Sequence, residues 1–135
     1  TVFLAVRMGL FRSTDRGGSW KDMEVGRFSP LTYARDVRVS PHDPRVLYAC
    51  LSPAARSEDG SLYRSNDLGE TWTRFDRGIK AEKTMMALAL HPKDADQVYC
   101  VSRSGQVFWT QDGGRTWRED RLPEPVDSVY AVACG

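Results

Sequence analysis

An eight-residue pattern occurs three times in this chain, and it constrains the fold more than any other feature. Each copy reads Ser/Thr-x-Asp-x-Gly-x-Ser/Thr-Trp, and the copies occupy residues 13–20, 65–72 and 110–117. The aspartates of consecutive copies lie 52 and 45 residues apart, within the range of stacked supersecondary units. The pattern therefore predicts a repeat protein.

The repeated positions have a structural interpretation. A carboxylate at the third position can accept hydrogen bonds from backbone N–H groups two and three residues later, and the glycine supplies the positive φ of a chain reversal. The tryptophan begins the next strand and can insert its ring between sheets. One carboxylate per copy is too few for calcium, so we expect no metal and no other cofactor. The matching residues are Asp15, Asp67 and Asp112, Gly17, Gly69 and Gly114, and Trp20, Trp72 and Trp117.

Short apolar segments separated by tight turns predict four antiparallel strands in a complete repeat, which together form one blade. The predicted strands are residues 36–40, 46–51, 61–65 and 71–75 in the second repeat, and 86–90, 97–102, 106–110 and 116–120 in the third. The first repeat offers three strands, 2–6, 10–13 and 20–25. Residues 127–135 have the pattern of an extra inner strand.

These strands predict an all-β fold of β-propeller blades. We expect one partial propeller domain over residues 1–135, with blades at 1–26, 35–77 and 84–121 and the extra inner strand at 127–135. The second repeat is longer because residues 51–60 form an inserted loop rich in Ser, Ala, Pro and charge. The extra strand could complete the first blade of another copy, which would give a six-bladed homodimer. The competing interpretation is a fragment of a larger propeller.

Composition narrows the choice of partners. Lys and Arg number 19 against 18 Asp and Glu, so bulk charge predicts neither nucleic acid nor an anionic membrane as a partner. The three cysteines have no C-x-x-C spacing, which argues against a zinc site and a disulfide framework. Cys50 and Cys100 are predicted to point to opposite faces of equivalent strands, which works against a bridge. The cysteine content does not decide the cellular compartment of the protein.

The boxes resemble those of the Asp-box, or bacterial neuraminidase repeat, β-propellers. That set includes sialidases, xyloglucanases, sortilin-like receptor domains and photosystem II assembly factors. The segment around Pro41, Asp43, Pro44 and Tyr48, followed by Gly-x-Leu-Tyr-Arg-Ser-Asn-Asp, has the style of the assembly-factor and xyloglucanase repeats. The resemblance covers essentially the whole chain and implies the fold. It does not imply an activity, because the box is a structural element in all these families.

Antiparallel order places the boxes at one end of the blades, and the opposite end carries the insertion and a basic excess. We call this opposite end the loop face. In the resembling families it commonly holds the ligand, which favours an anionic or carboxylate-bearing protein or glycan. Solvated surface charge is the alternative. The candidate ligand-binding arginines are Arg7, Arg35, Arg56, Arg77 and Arg103.

Trp109 is a further candidate, because its counterparts in the other two repeats are Arg12 and Arg64. Its ring could stack on a sugar or a partner chain, although packing at a blade boundary is the favoured interpretation.

Catalysis is the less favoured hypothesis. A glycoside hydrolase needs two carboxylates about 5 to 9.5 Å apart. The candidates on the loop face are Glu58 with Asp59 and Glu124 with Asp127, and no sialidase motif is recognisable. We therefore predict a noncatalytic binding or scaffold module for a protein or glycan, with no catalytic residues. The alternative is a fragment of a sialidase-like or xyloglucanase-like glycoside hydrolase.

Overall fold

Three antiparallel sheets make up the computed structural model, which describes residues 1–135. Blade 1 contains β1 (Val2–Val6), β2 (Gly9–Ser13) and β3 (Lys21–Asp22) and is followed by a short 3-10 turn at Val25–Arg27. Blade 2 contains β4 (Tyr33–Val39), β5 (Leu47–Ser52), β6 (Ser61–Ser65) and β7 (Thr73–Arg74). Blade 3 contains β8 (Met85–Leu90), β9 (Val98–Ser102), β10 (Gln106–Thr110) and β11 (Arg118–Arg121). The all-β prediction is confirmed, and no helix is long and apolar enough to cross a membrane.

The strands of each blade follow chain order across the sheet, so strands that are consecutive in the sequence are also neighbours in the sheet. The inner strands β4 and β8 are also linked directly across two blades. The Asp36 carboxylate accepts a hydrogen bond from the Leu88 backbone N–H at 3.0 Å. Both inner strands have a register shift near their first residues, between Ala34 and Asp36 and between Met85 and Ala87. At each shift one residue of the inner strand has no partner on the neighbouring strand, as in a β-bulge.

Two apolar cores hold the blades together. The core between blades 1 and 2 contains Leu10, Leu47 and Trp72. The core between blades 2 and 3 contains Leu62 and Phe108. Because successive side chains of a strand point to opposite sides, each blade has two faces. We call the side toward the preceding blade the rear face, and the side toward the following blade the forward face.

The outer strands are shorter and later than the sequence predicted. All three box tryptophans lie just outside a strand, whereas we had expected them to begin one. The residue before each tryptophan gives its backbone N–H to the box aspartate, as Ser19 does to Asp15 at 2.8 Å. A backbone group engaged in the turn cannot also join the sheet ladder, so strand pairing starts after the tryptophan.

Residues 122–135 contain no strand, so the predicted inner strand over 127–135 is absent from the isolated chain. Two backbone hydrogen bonds tie this segment to blade 3, from the Leu122 N–H to the Gly105 carbonyl at 3.1 Å and from the Val129 N–H to the Arg103 carbonyl at 3.2 Å. Further along, Val132 and Cys134 lie beside Leu88 and Leu90 of β8. An extended segment becomes a strand only where a neighbouring backbone pairs with it, and none does here.

Cys50 and Cys100 lie in the same core, between blades 2 and 3. As the sequence predicted, their side chains point to opposite faces of their own sheets. The inference that this separates them was wrong, because the forward face of blade 2 packs against the rear face of blade 3. Both thiols are free and fully buried. Burial raises the pKa of each thiol well above its ordinary value.

Candidate functional site

The three boxes share one hydrogen-bond geometry. In the first, the Ser13 hydroxyl donates to the Asp15 carboxylate at 2.8 Å and accepts the Gly17 N–H at 2.7 Å. The same carboxylate accepts both the N–H and the hydroxyl of Ser19, at 2.8 and 2.7 Å. Its backbone donor therefore lies four residues later rather than two or three. The Ser/Thr hydroxyls and the aspartate of the repeated pattern are thus all engaged within the turn.

These bonds hold the box carboxylates in the ionised form. The hydroxyl of Ser19 is the main reason that the pKa of Asp15 lies far below its usual value. Thr71 has the same effect on the pKa of Asp67. The Thr116 hydroxyl, with the Thr116 N–H, lowers the pKa of Asp112 to about 2. A carboxylate stabilised in this way is a structural hydrogen-bond acceptor and a poor general acid.

At the opposite end, a cavity of about 600 Å³ opens on the loop face. Four segments form it: the inserted loop, the connection between β7 and β8, the turn between β9 and β10, and the stretch around Asp127. Its lining residues are Arg56, Ser57, Glu58, Lys83, Arg103, Ser104, Val126, Asp127 and Ser128. Eight of the nine are polar or charged, so the cavity suits a hydrophilic ligand.

Thr84, the residue before β8, holds the inserted loop against blade 3 with both its hydroxyl and its backbone. The Ser57 N–H donates to the Thr84 Oγ1 at 2.9 Å, and that hydroxyl lies 3.2 Å from the carbonyls of both Ala54 and Ala55. The Thr84 N–H also donates to the Ser57 carbonyl at 3.1 Å. Thr84 is fully buried. It thereby positions the loop that carries Arg56 and Glu58.

Positive charge exceeds negative charge in the cavity, with Arg56, Lys83 and Arg103 against Glu58 and Asp127. Lys83 and Glu58 form a 3.3 Å ion pair, and both side chains remain exposed. The Arg103 guanidinium contacts the carbonyl of Ala55 at 3.4 Å, which is too long for a strong bond. Most guanidinium donors in the cavity are therefore free to meet an anion.

The structure brings together two of the five predicted arginines. Arg56 and Arg103 line the cavity, whereas Arg7, Arg35 and Arg77 do not. Arg7 lies in the turn between β1 and β2, and Arg77 follows β7. Arg35 lies inside β4 at the bulge, because that strand begins three residues earlier than predicted. The prediction that Arg35 belongs to a loop was therefore wrong.

Trp109 lies at the other end of blade 3. With Asp112, Thr116 and Arg118 it lines a small depression beside the third box. It is separate from the loop-face cavity, so the two candidate features do not form one site. Sequence reasoning also missed the roles of Ser57 and Thr84, which are visible only as a contact between distant segments. No group of three or more His, Cys, Asp or Glu side chains is placed to hold a metal ion.

One protein-family model matches this chain. The model of Sortilin-Vps10, described as sortilin or neurotensin receptor 3, matches residues 60–133, which is more than half of the chain. The chain belongs to the Sortilin-Vps10 family. This assignment agrees with the Asp-box resemblance seen in the sequence, which is confirmed.

Individual relatives of this Sortilin-Vps10 family chain are of two kinds. Vacuolar protein sorting/targeting protein 10 of Mycosarcoma maydis is 39% identical over 66 residues, which cover 49% of this chain and 4% of that protein. The oligoxyloglucan-reducing end-specific xyloglucanase of Emericella nidulans is 24% identical over 127 residues, covering 81% of this chain and 16% of that enzyme. The chain thus spans only a small part of either relative.

Solved structures show the same fold. An ancestral GH74 enzyme superposes with a TM-score of 0.73 at 18% identity, covering 96% of this chain and 18% of that one. The GH74 xyloglucanase of Xanthomonas campestris superposes with a TM-score of 0.66 at 20% identity, covering 86% of this chain and 18% of that one. At such identities the likeness is one of fold, and it identifies the three sheets as propeller blades.

Proposed function

We propose that this chain is a noncatalytic binding module whose loop-face cavity accepts a carboxylate group of a protein or glycan ligand. The observation that carries the proposal is the convergence of Arg56, Lys83 and Arg103 in one hydrophilic cavity. A guanidinium presents paired N–H donors that match the two oxygens of a carboxylate. The sorting and targeting relatives support a binding role, since their names describe the handling of other proteins.

Binding can be tested with matched acidic and neutral probes in titration calorimetry. The peptide pair is hexaglutamate and hexaglutamine, and the glycan pair is sialyllactose and lactose. We expect at least one acidic probe to bind and its neutral partner not to bind. Because the ligand pairs with exposed cations, affinity should fall as salt is added. Equal binding of an acidic probe and its neutral partner, or binding of none of the four, would contradict the proposal.

Charge-reversal variants locate the site. Arg56→Glu and Arg103→Glu should each lower the affinity for the acidic probe about tenfold or more, which corresponds to about 1.4 kcal/mol. The matched control is Arg115→Glu, an exposed arginine in the third box at the opposite end of blade 3. This variant carries the same change of net charge but should bind normally. Equal losses in all three variants would indicate a nonspecific charge effect instead of a site.

A second candidate is part of a carbohydrate-active hydrolase. It is favoured by the xyloglucanase relatives and by the two carboxylates, Glu58 and Asp127, that line the same cavity. Hydrolysis of xyloglucan by the wild type, with loss of turnover in Glu58→Gln and Asp127→Asn, would establish this alternative and overturn the noncatalytic role. We expect no release of reducing ends above that of the buffer.

A further inference from the structure

Each of the two contacts between blades joins the forward face of one blade to the box of the next. At the contact between blades 1 and 2, the Arg12 guanidinium donates to the Leu68 carbonyl at 3.0 Å and to the Glu70 carboxylate at 2.7 Å. The Trp72 indole N–H donates to the Gly69 carbonyl at 3.1 Å. These acceptors are three consecutive residues of the second box. One guanidinium and one indole N–H therefore converge on the same short segment, and both find an acceptor there.

The contact between blades 2 and 3 has the same two donors but leaves them without acceptors. Arg64 is the counterpart of Arg12, and Trp117 is the counterpart of Trp72. The Nε atom of Arg64 and the indole Nε1 of Trp117 are both buried, and neither has a hydrogen-bond partner. A buried donor without an acceptor is costly, and native proteins leave few of them. Two such donors at one contact indicate that an acceptor is missing there.

The sequence of the third box shows which acceptor is missing. The sixth position of the box is Glu70 in the second copy and Arg115 in the third, so a cation replaces the carboxylate that pairs with Arg12. Arg115 is exposed. None of the ion pairs of the chain involves Arg64 or Arg115. The contact between blades 2 and 3 therefore has the guanidinium of the equivalent contact without its carboxylate.

Two aromatic rings hold the Arg64 guanidinium at this contact. Its central carbon lies 5.5 Å from the ring centroid of Tyr48 and 5.5 Å from that of Phe75. Phe75 also packs edge-on against Trp117, with the two centroids 5.7 Å apart. Contacts with ring faces orient a guanidinium and leave its N–H groups available for an anion. The donors of Arg64 are therefore held in position near the third box before any ligand binds.

Carboxylates in the neighbouring turns do not supply the missing acceptor. Asp43 is paired with Arg45, whose guanidinium nitrogen lies 3.2 Å from its carboxylate. Asp96 lies beside the third box, because a Cβ on Gly113 would be 2.9 Å from its Oδ1. Neither carboxylate accepts a hydrogen bond from Arg64, whose Nε has no partner. The chain thus leaves this guanidinium without an acid of its own.

We propose that the contact between blades 2 and 3 binds a carboxylate group from a ligand, which takes the place that Glu70 holds at the second box. Arg64 and Trp117 donate hydrogen bonds to this carboxylate, and Arg115 adds a second positive charge. We call these three residues the third-box site. It lies at the opposite end of the blades from the loop-face cavity, so it does not depend on the function proposed above.

The third-box site is expected to bind a single carboxylate weakly. One guanidinium and one indole N–H hold the group, so the dissociation constant should be on the order of 10 mM. At submillimolar concentrations of an acidic probe, the site therefore stays largely empty.

Indole N–H signals in nuclear magnetic resonance spectra test the third-box site directly. The chain has four tryptophans, and the signal that disappears in Trp117→Phe belongs to Trp117. Sodium acetate, exchanged for sodium chloride at constant ionic strength and pH, should shift this signal along a saturating curve. Acetamide, the neutral counterpart of acetate, should not shift it. The internal control is Trp72, whose indole already donates to Gly69 and should not respond.

Two variants show whether the response depends on the third-box site. Arg64→Gln removes the guanidinium and should abolish saturation, while an unchanged Trp72 signal shows that the fold is retained. Arg115→Glu restores the acid of the second box, so Arg64 gains an internal partner and the Trp117 signal should no longer respond to acetate. The matched control is Arg16→Glu, an exposed arginine of the first box, which should respond like the wild type.

The outcomes separate a carboxylate site from a solvated arginine. A Trp117 signal that does not move, moves without saturation, or moves equally with acetamide would overturn the proposal, and water or Asp96 would then satisfy Arg64. Equal loss of the response in Arg115→Glu and Arg16→Glu would also overturn it, because a general effect of net charge would explain both. Because the readout is Trp117 itself, neither result depends on binding at the loop-face cavity.

Discussion

At the scale of single residues, two of the three box glycines, Gly69 and Gly114, are constrained both by a positive φ and by a close neighbour. Gly69 has φ +83°, and a Cβ there would nearly coincide with the Met23 methyl, at 1.7 Å. Gly78 has a similar φ of +93°, with nothing within 4 Å of its Cβ position. Alanine substitutions at Gly69 and Gly78 therefore separate the energetic cost of a positive φ from the cost of a steric clash.

We predict that Gly69→Ala lowers the free energy of unfolding by about 2 to 4 kcal/mol, because it combines an unfavourable φ with overpacking. Gly78→Ala should lower it by about 1 kcal/mol, since it has the backbone cost alone. Urea unfolding monitored by circular dichroism gives both values. Equal losses in the two variants would show that the contact with Met23 is relieved at little cost.

The box carboxylates predict an acid-sensitive stability. The hydrogen bonds of Thr116 lower the pKa of Asp112 to about 2 from an ordinary 3.8. A carboxyl group whose pKa is lower in the folded state adds stability that is complete above its unfolded pKa. That stability is lost as the pH falls through the folded pKa, so the relevant window runs from about pH 4 to about pH 2.

Asp112→Asn tests this linkage, because the amide keeps the Thr116 N–H bond but has no charge to titrate. We expect the Tm of the wild type to fall more steeply than that of the variant over this window. Above pH 5 the variant should be the less stable of the two. Thermal unfolding at half-unit pH intervals measures both curves, and parallel curves would mean that Asp112 does not contribute.

At the scale of elements, the inserted loop behaves as part of blade 3. Its anchor is the hydroxyl of the fully buried Thr84, which accepts the Ser57 N–H at 2.9 Å. Thr84→Val keeps the shape of the side chain but leaves that N–H and the nearby Ala54 carbonyl without a partner. Loss of a partner for a buried group costs about 1 to 3 kcal/mol, and less for these partly buried and exposed groups, so we expect local opening of the loop rather than global unfolding.

We predict that Thr84→Val speeds amide exchange in residues 54–59 and lowers the affinity of the loop-face cavity for an acidic probe. Thr84→Ser retains the hydroxyl and serves as the control, with exchange and affinity close to those of the wild type. Exchange mass spectrometry resolves this peptide from the blades. If the valine variant exchanged like the serine variant, the loop would have to be held by its other contacts.

Elements with a strong local pattern were predictable from the sequence. The strand β1 and the strands β6 and β10 have the predicted bounds, because alternating side chains and tight turns define them locally. The outer strands were not predictable in detail. An outer strand begins only after the backbone N–H groups that bond to the box aspartate, as the Ser19 N–H does. The geometry of the turn decides which N–H groups these are. Likewise, Arg35 was misplaced because a β-bulge extends β4.

At the scale of the molecule, blade 2 is shared by both cores, with Leu47 on its rear face and Leu62 on its forward face. Damage to either core should therefore destabilise the whole chain. We predict that Phe108→Ala lowers the free energy of unfolding by about 3 to 5 kcal/mol and Leu10→Ala by about 2 to 5 kcal/mol. Each variant should retain one cooperative transition, seen at the same urea concentration by tryptophan fluorescence and circular dichroism. Separate transitions for the two probes would show that the blades unfold independently.

The sequence by itself determined the repeat, the strand order and the structural role of the boxes. These follow from local chemistry: a carboxylate, two hydroxyls and a glycine within eight residues close the same turn wherever they occur, as Asp15 and Asp112 show. The loop face and its excess of basic residues could also be predicted, because the antiparallel order of the strands determines at which end of the blade each turn lies.

Only the tertiary structure decided which basic side chains converge and which sheet faces pack together. Arg56 and Arg103 are 47 positions apart in the sequence, and they meet because Thr84 fastens the inserted loop to blade 3. Cys50 and Cys100 share a core because two unlike faces pack together. Such contacts join segments that are distant in the chain, and their geometry depends on how whole sheets stack, which no local pattern encodes.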